Sequence, residues 1–326
     1  MTLSYFLRLA CLCAASFFLI HAVLGLGLRL AANSIIRFAH YMKPREATRF
    51  LLLLRFLPLI GTTVLVLGVC LPSYLWLEPG ATNESVGAIF IVAALSGVSI
   101  WIFSLLRTGR AVAASRKFSL MCRETRTDSS ISGMNLPLDI LDSEAPVIFL
   151  AGVVHPRLVL SSGVLRTLSA EQLESVIRHE KAHRASRDNF KRLLLLLSPE
   201  ILPFSRSFHL MDQTWAQFSE WAADDDAAGN DPGESLSLAE SLVCVARMGS
   251  GPRPMPLFTS FIPPDQDLSA RVNRLLTPRS FELKSWGRVR AIVGGAAFAL
   301  ISIATLLLVQ PSALQSVHQL LERLTH

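Results

Sequence analysis

The strongest limit on how this chain can fold is a set of four apolar stretches, each long enough to cross a bilayer as a helix. A hydrocarbon core needs about 20 mostly apolar residues in helical form. Leu9–Leu28 carries no formal charge and one histidine, His21; Phe56–Leu77 contains Pro58 and Pro72 but no charge; Ser85–Leu106 is uncharged and rich in Ile, Val and Phe. Ala291–Val309 is also uncharged and is flanked by Arg288 and Arg290. The first stretch lacks the short core and small-x-small cleavage site of a signal peptide, so it reads as a retained span. With 51% hydrophobic and only 17% charged residues, against about 25% charged in soluble domains, disorder, collagen and coiled coil are excluded. The class that remains is a mainly α membrane protein with an aqueous part. Five cysteines without a C-x-x-C pair indicate neither a disulfide framework nor a cysteine metal site.

The loops orient the spans. Arg29–Arg55 holds six basic residues and one acid, Glu46. The loop after the second span has Glu78 and Glu84 and no base, whereas Arg107, Arg110, Arg116, Lys117, Arg123 and Arg126 follow the third. Basic loops stay cytoplasmic, so both termini are expected outside and residues 107–290 inside. The net charge of +6 then lies against anionic lipid. No aromatic-interleaved basic motif accompanies it, so direct nucleic-acid binding is not expected.

Within 107–290, Arg123–Met134 is polar and reads as a linker. Val147–Leu150 and Leu158–Leu160 read as strands separated by Gly152 and Pro156. They either close the core or offer an edge to extended substrate, with Val147, Ile148, Phe149 and Leu150 as the candidate edge. Ser169-Ala-Glu-Gln172 fits a capping box and opens a helix. Further helices are expected over Phe208–Ala228, Ser237–Met248 and Leu268–Leu276. The run Leu193–Leu197 is too short to span, so it either packs inside the domain or dips into the interface.

The helix after Ser169 contains His179-Glu180-Lys181-Ala182-His183, an H-E-x-x-H. Two histidines four apart share one helix face and can reach one zinc ion. The glutamate beside the first histidine can take a proton from the attacking water. A catalytic zinc has three protein ligands, so a third is required. The candidate is Glu220, 37 residues beyond His183 on the next long helix. Asp224, one turn on, can fix a ligand histidine by accepting its second N–H. Asp188 is either a helix-end residue or a similar support, and Asp225 and Asp226 point elsewhere. The candidate site is therefore Glu180 as base, His179, His183 and Glu220 on one Zn²⁺ per chain, and Asp224 and Asp188 behind them.

These motifs resemble the BlaR/MecR-type membrane metallopeptidases, the antirepressor proteases. The matching residues are Gly152–Ser162, Leu168–Leu173, His179–His183 with Arg187-Asp188, Glu220–Asp224 and Leu268–Leu276. Three spans before the protease region and one after it also match. The resemblance implies a cytoplasmic zincin-like (gluzincin) α+β domain in a bacterial inner-membrane protein. It also implies cleavage of the chain itself or of a cytoplasmic winged-helix repressor. The penicillin-binding sensor of those receptors has no counterpart in Pro311–His326, which lacks S-x-x-K. HtpX-like quality-control proteases share the zinc motif but usually place two spans on each side of it. From a different class, a non-catalytic membrane adaptor could keep the zinc fold, although it would not need Glu180. The expected layout is three spans in 1–106, the metallopeptidase domain in 107–290, and a fourth span with a short tail in 291–326. It is compatible with a homo-oligomer.

Overall fold

The computed structural model describes residues 5–77, 87–124, 126–127, 137–200, 206–229, 231–249, 257–260 and 268–277. Three helices among them are long and apolar enough to cross a membrane, which makes the chain membrane-integral. The first is α1 (Tyr5–Ala39). The second is α2 (Pro44–Leu65), which continues through a π turn (Val66–Cys70) into α3 (Leu71–Leu77). The wide turn precedes Pro72, which has no N–H to offer a regular helical bond. The third is α4 (Ala88–Glu124). The fourth apolar stretch, Ala291–Val309, lies outside the described residues.

These helices run further than the apolar stretches alone. At 1.5 Å per residue α1 is about 52 Å long, against a hydrocarbon core of about 30 Å. The basic segment 29–55 is therefore not a loop. Arg29 and Arg37 ride on the end of α1, Arg45, Arg49 and Arg55 on α2, and only residues 40–43 turn between them. Likewise Arg107, Arg110, Arg116 and Lys117 lie on α4, which passes residue 106 without a break. Arginine and lysine are good helix formers, so charge ends the apolar span without ending the helix. Tight packing holds α1 against α4: a Cβ on Gly97 would stand 2.3 Å from the Ala14 carbonyl oxygen, so the missing side chain lets the backbones approach.

Among the described residues, the aqueous part is built on a five-stranded sheet. Its strands are β1 (Arg126–Thr127), β2 (Leu138–Leu141), β3 (Ile148–Ala151), β4 (Arg157–Ser161) and β5 (Thr259–Ser260), in the order β1-β2-β4-β3-β5. Only β2 and β4 are parallel. The helices are α5 (Ser162–Thr167), α6 (Ala170–Ser186), α7 (Asp188–Leu197), α8 (Arg206–Ala228), α9 (Pro232–Arg247) and α10 (Leu268–Leu276). Both faces of β3 and β4 are covered, and the strand alternation divides their residues between two cores. Ile148, Leu150, Leu158 and Leu160 pack with Val176 and Ile177 of α6 and Leu238 and Leu242 of α9. Val147, Phe149 and Val159 pack with Ala111 of α4 and with Leu257 and Phe258.

Two sequence readings change here, and one strand was not anticipated. Part of the expected linker, Arg126–Thr127, pairs with β2. β2 was not anticipated, because Asp139 breaks its short apolar run, whereas the equally short β3 is apolar throughout. The candidate substrate edge is also partly occupied, because Phe149 pairs with Ser260 and Leu150 with Thr259. The Phe258 ring stacks on Phe149 at 5.5 Å and anchors that pairing. A two-residue strand about 110 residues downstream has no local signal.

Gly97→Ala should destabilise the chain in detergent by about 1–3 kcal/mol, because the added carbon forces α1 and α4 apart. Gly109→Ala on the same helix meets nothing within 4 Å and should be neutral or up to about 1 kcal/mol stabilising. Thermal unfolding of the two variants side by side checks this, and equal midpoints would count against the close contact.

Candidate metal centre

The helix α6 starts where its cap dictates. Ser169 Oγ accepts from Gln172 N at 3.2 Å, and the Gln172 side chain accepts from Ser169 N at 3.1 Å. The apolar face of α6 enters the sheet core, and the next positions around the helix carry His179, Glu180 and His183, at most 1% exposed. Arg187 then adopts a left-handed conformation (φ 56°) and ends α6 as it starts α7. That single-residue turn brings Asp188 back onto the histidine five residues before it.

Each histidine is fixed from behind. His183 Nδ1 donates to Asp188 Oδ2 at 2.8 Å, and His179 Nδ1 lies 3.0 Å from Asp224 Oδ1. Asp188 is itself held by Ser219 Oγ at 2.7 Å and Lys191 Nζ at 2.8 Å. With both Nδ1 atoms facing carboxylates, the Nε2 lone pairs are left to point inward. They stand 3.1 Å apart, and Glu220 Oε2 is 3.5 Å from each. Two ligands about 2.0–2.1 Å from a tetrahedral zinc would be about 3.3 Å apart. The triangle of 3.1, 3.5 and 3.5 Å thus has the size of a zinc site and offers only acceptors toward its middle. These three side chains fit a metal ion, and among the described residues they form a ligand group.

The electrostatics demand positive charge at this point. Burial works to lower the pKa of His183, yet Glu220 and Asp188 outweigh it and raise it to about 10. Burial works to raise Glu220, but His183, His179 and Arg271 hold it well below the carboxylate range. Glu180 differs: burial pushes its carboxyl up, and neither oxygen has a hydrogen-bond partner among the described residues. A buried carboxylate without partners is costly unless it serves a reacting group.

The structure thus gathers His179, Glu180, His183, Glu220, Asp224 and Asp188. Asp225 instead meets Arg274 at 2.5 Å and Asp226 faces Arg45 at 3.6 Å, both away from the cluster. Sequence reasoning missed Arg271 of α10. It is 2% exposed, donates to Asp224 at 3.0 and 2.6 Å, and lies 3.4 Å from Glu220 Oε2. The available signal was an arginine on the apolar stripe of a short amphipathic helix, beside Leu268, Val272 and Leu275. With it Asp224, which burial would raise, is held at about 2 by Arg271 and His179.

Residues 129–238 match the model of peptidase family M48, a stretch that contains every candidate ligand and Glu180. No curated protein matches the chain. The match indicates a metallopeptidase, and metallopeptidases of this family generally use zinc. Together with three membrane-length apolar helices it indicates a membrane metallopeptidase.

Removing Arg271 leaves Asp224 as a buried charge short of its main partner. Arg271→Met should cost about 3–5 kcal/mol, and Arg271→Met with Asp224→Asn should recover part of that loss. Thermal unfolding in detergent measures both; a loss below about 1 kcal/mol for the single variant would reject the clamp.

Proposed function

We propose that the chain is an integral membrane zinc endopeptidase that performs regulatory proteolysis, cutting itself or a cytoplasmic repressor. The observation that carries the chemistry is the inward-facing triangle of His179 Nε2, His183 Nε2 and Glu220 Oε2 beside the unpartnered Glu180 carboxylate. In this reading the triangle holds the zinc, with domain 107–290 on the cytoplasmic face of a bacterial inner membrane and the spans at 1–106 and 291–309 enclosing it. When bound, zinc polarises the scissile carbonyl and makes the attacking water more acidic.

The remaining steps belong to the chain. Glu180, adjacent to a ligand but not one itself, accepts the proton of the attacking water and delivers it to the leaving amine. Asp224 and Asp188 keep the Nδ1 protons in place, so both histidines present Nε2. Arg271 balances the excess of carboxylates. The regulatory reading is supported by the motifs shared with the antirepressor proteases, Gly152–Ser162 and Leu268–Leu276 beside the zinc motif.

The decisive comparison uses Glu180→Gln, His179→Ala, His183→Ala and Glu220→Gln in the full chain. Either histidine variant should lose stoichiometric zinc, and Glu220→Gln should weaken binding. Glu180→Gln should keep zinc while cleavage of the chain or of a co-expressed repressor falls about 10²–10⁴-fold. Cleavage unchanged in Glu180→Gln would favour the adaptor reading. Zinc-dependent cleavage of misfolded membrane proteins, with the repressor left intact, would favour quality control.

Sidedness is checked separately. A reporter active only outside the cytoplasm should be active when fused after His326 and silent when fused near Ser130. The reverse pattern would place the peptidase domain outside and remove a cytoplasmic repressor as substrate.

A further inference from the structure

The helix that delivers Glu220 and Asp224, α8, reaches back to the membrane helices, and its other end is held there by a buried ionic node. Arg55 of α2, with its side chain 4% exposed, is the centre of that node. Its guanidinium binds the Glu200 carboxylate. Nε donates to Asp212 Oδ1 at 3.1 Å and Nη1 to Ser198 Oγ at 3.3 Å. The same group lies 4.8 Å from the centre of the Phe208 ring. Phe208 and Asp212 belong to α8, and Ser198 and Glu200 to the segment leaving α7.

The other two membrane helices grip the same segment. Arg107 of α4 donates to Leu196 O at 2.8 Å and Ser198 O at 3.2 Å, and lies 3.5 Å from Glu200. Ser104 donates to Leu197 O at 2.5 Å. From α1, His21 Nε2 lies 3.1 Å from Pro199 O.

The level of this node in the membrane follows from helix length. From Arg55 to Trp76 and from Ala88 to Arg107, the helices rise about 31 and 28 Å at 1.5 Å per residue. Those lengths approach the hydrocarbon thickness of about 30 Å. The node therefore lies where the bilayer core ends, under the peptidase domain.

Two rigid elements lead from it to the metal centre. Along α8, Glu220 is about 12 Å from Asp212, with Ser219 next to it donating to Asp188. Along α7, the end held by Arg107 and Ser104 is joined through one helix to Asp188, which holds His183. Asn189, beside Asp188 at the opposite end of α7, donates to Leu150 O at 2.9 Å and Gly152 O at 2.7 Å, fastening α7 to the sheet. A shift of α2 against α4 must move the node, because the buried Arg55–Glu200 pair cannot be parted cheaply. Either helix then carries the shift to a ligand.

We propose that Arg55 is a positioning residue for the metal centre, tying α8 and α7 to the membrane helices so that their arrangement in the bilayer sets the geometry around His183 and Glu220. This rests on the reading of that centre as a zinc site. Its substance is that the site is tuned from within the membrane.

The test uses the full chain in phosphatidylcholine vesicles of short or long acyl chains, since bilayer thickness changes helix tilt. Zinc affinity is read by competition with a chromogenic chelator, and cleavage is read in parallel. Coupling between sites is typically worth about 5–150-fold. The wild-type zinc dissociation constant should therefore differ at least about fivefold between thin and thick bilayers. Asp212→Asn leaves Glu200 on Arg55 and should bring that ratio close to one. Arg55→Lys keeps the charge but loses the fork and should do the same, which covers the case in which one variant fails to fold. A wild-type affinity indifferent to thickness, or a ratio retained in both variants, overturns the proposal. Thickness-dependent zinc binding without any cleavage supports it and rejects only the peptidase reading. No zinc binding in any vesicle rejects the metal reading and this inference with it.

Discussion

Three buried carboxylates, Glu220, Asp224 and Asp188, surround two imidazoles, and His179, His183 and Glu220 converge closely enough to share one ion. Such a cluster would repel itself in a low-dielectric interior unless positive charge were supplied. The chain supplies part of it through Arg271 and Lys191. Under the zinc reading, an ion at the shared focus of two Nε2 atoms and one carboxylate oxygen would supply the rest. Much of the aqueous fold serves to keep these groups buried and oriented: the sheet backs α6, α8 delivers Glu220 and Asp224, α10 delivers Arg271, and α7 returns Asp188.

The elements that orient the centre are also those in contact with the membrane helices. In many membrane enzymes an aqueous domain could be detached at a linker. Here α4 continues from the bilayer into the core of the domain, where Phe118 meets Phe149 at 5.4 Å. Trp215, Phe218 and Trp221 of α8 pack with Ala39, Met42, Ala47 and Leu51 of the α1–α2 hairpin. Apolar burial therefore joins the two parts along a broad face, and the ionic node around Arg55 fixes their register. The dispersive contacts supply cohesion, whereas the directional ones determine which arrangement is adopted.

Several elements were legible because their signals are local. The capping box at Ser169, the helical stretches over Phe208–Ala228 and Leu268–Leu276, and the first three charge-free apolar runs each depend on residues within a few turns of one another. The bounds of α10 coincide with the sequence reading, Leu268–Leu276. β5 was not legible because a two-residue strand exists only through the strand beside it, and β2 because Asp139 interrupts its apolar run. The helical continuation of the membrane segments was also hidden. Charged residues mark where apolar composition stops, and a helix has no need to stop there.

The chemistry of the site was written into residue types and spacing: histidines four apart on a capped helix, a glutamate between them, and an E-x-x-x-D one helix later. Those are properties of a helix face, so they survive without knowledge of the fold. Partners distant in sequence were decided by the tertiary structure. Asp188 could have been an ordinary helix end, and it is the left-handed turn at Arg187 that places it on His183. Arg271 meets Asp224 across 47 residues, and Arg55 meets Asp212 across 157. A sequence states which groups are charged. Which charges must share a space without water is settled only when the helices pack.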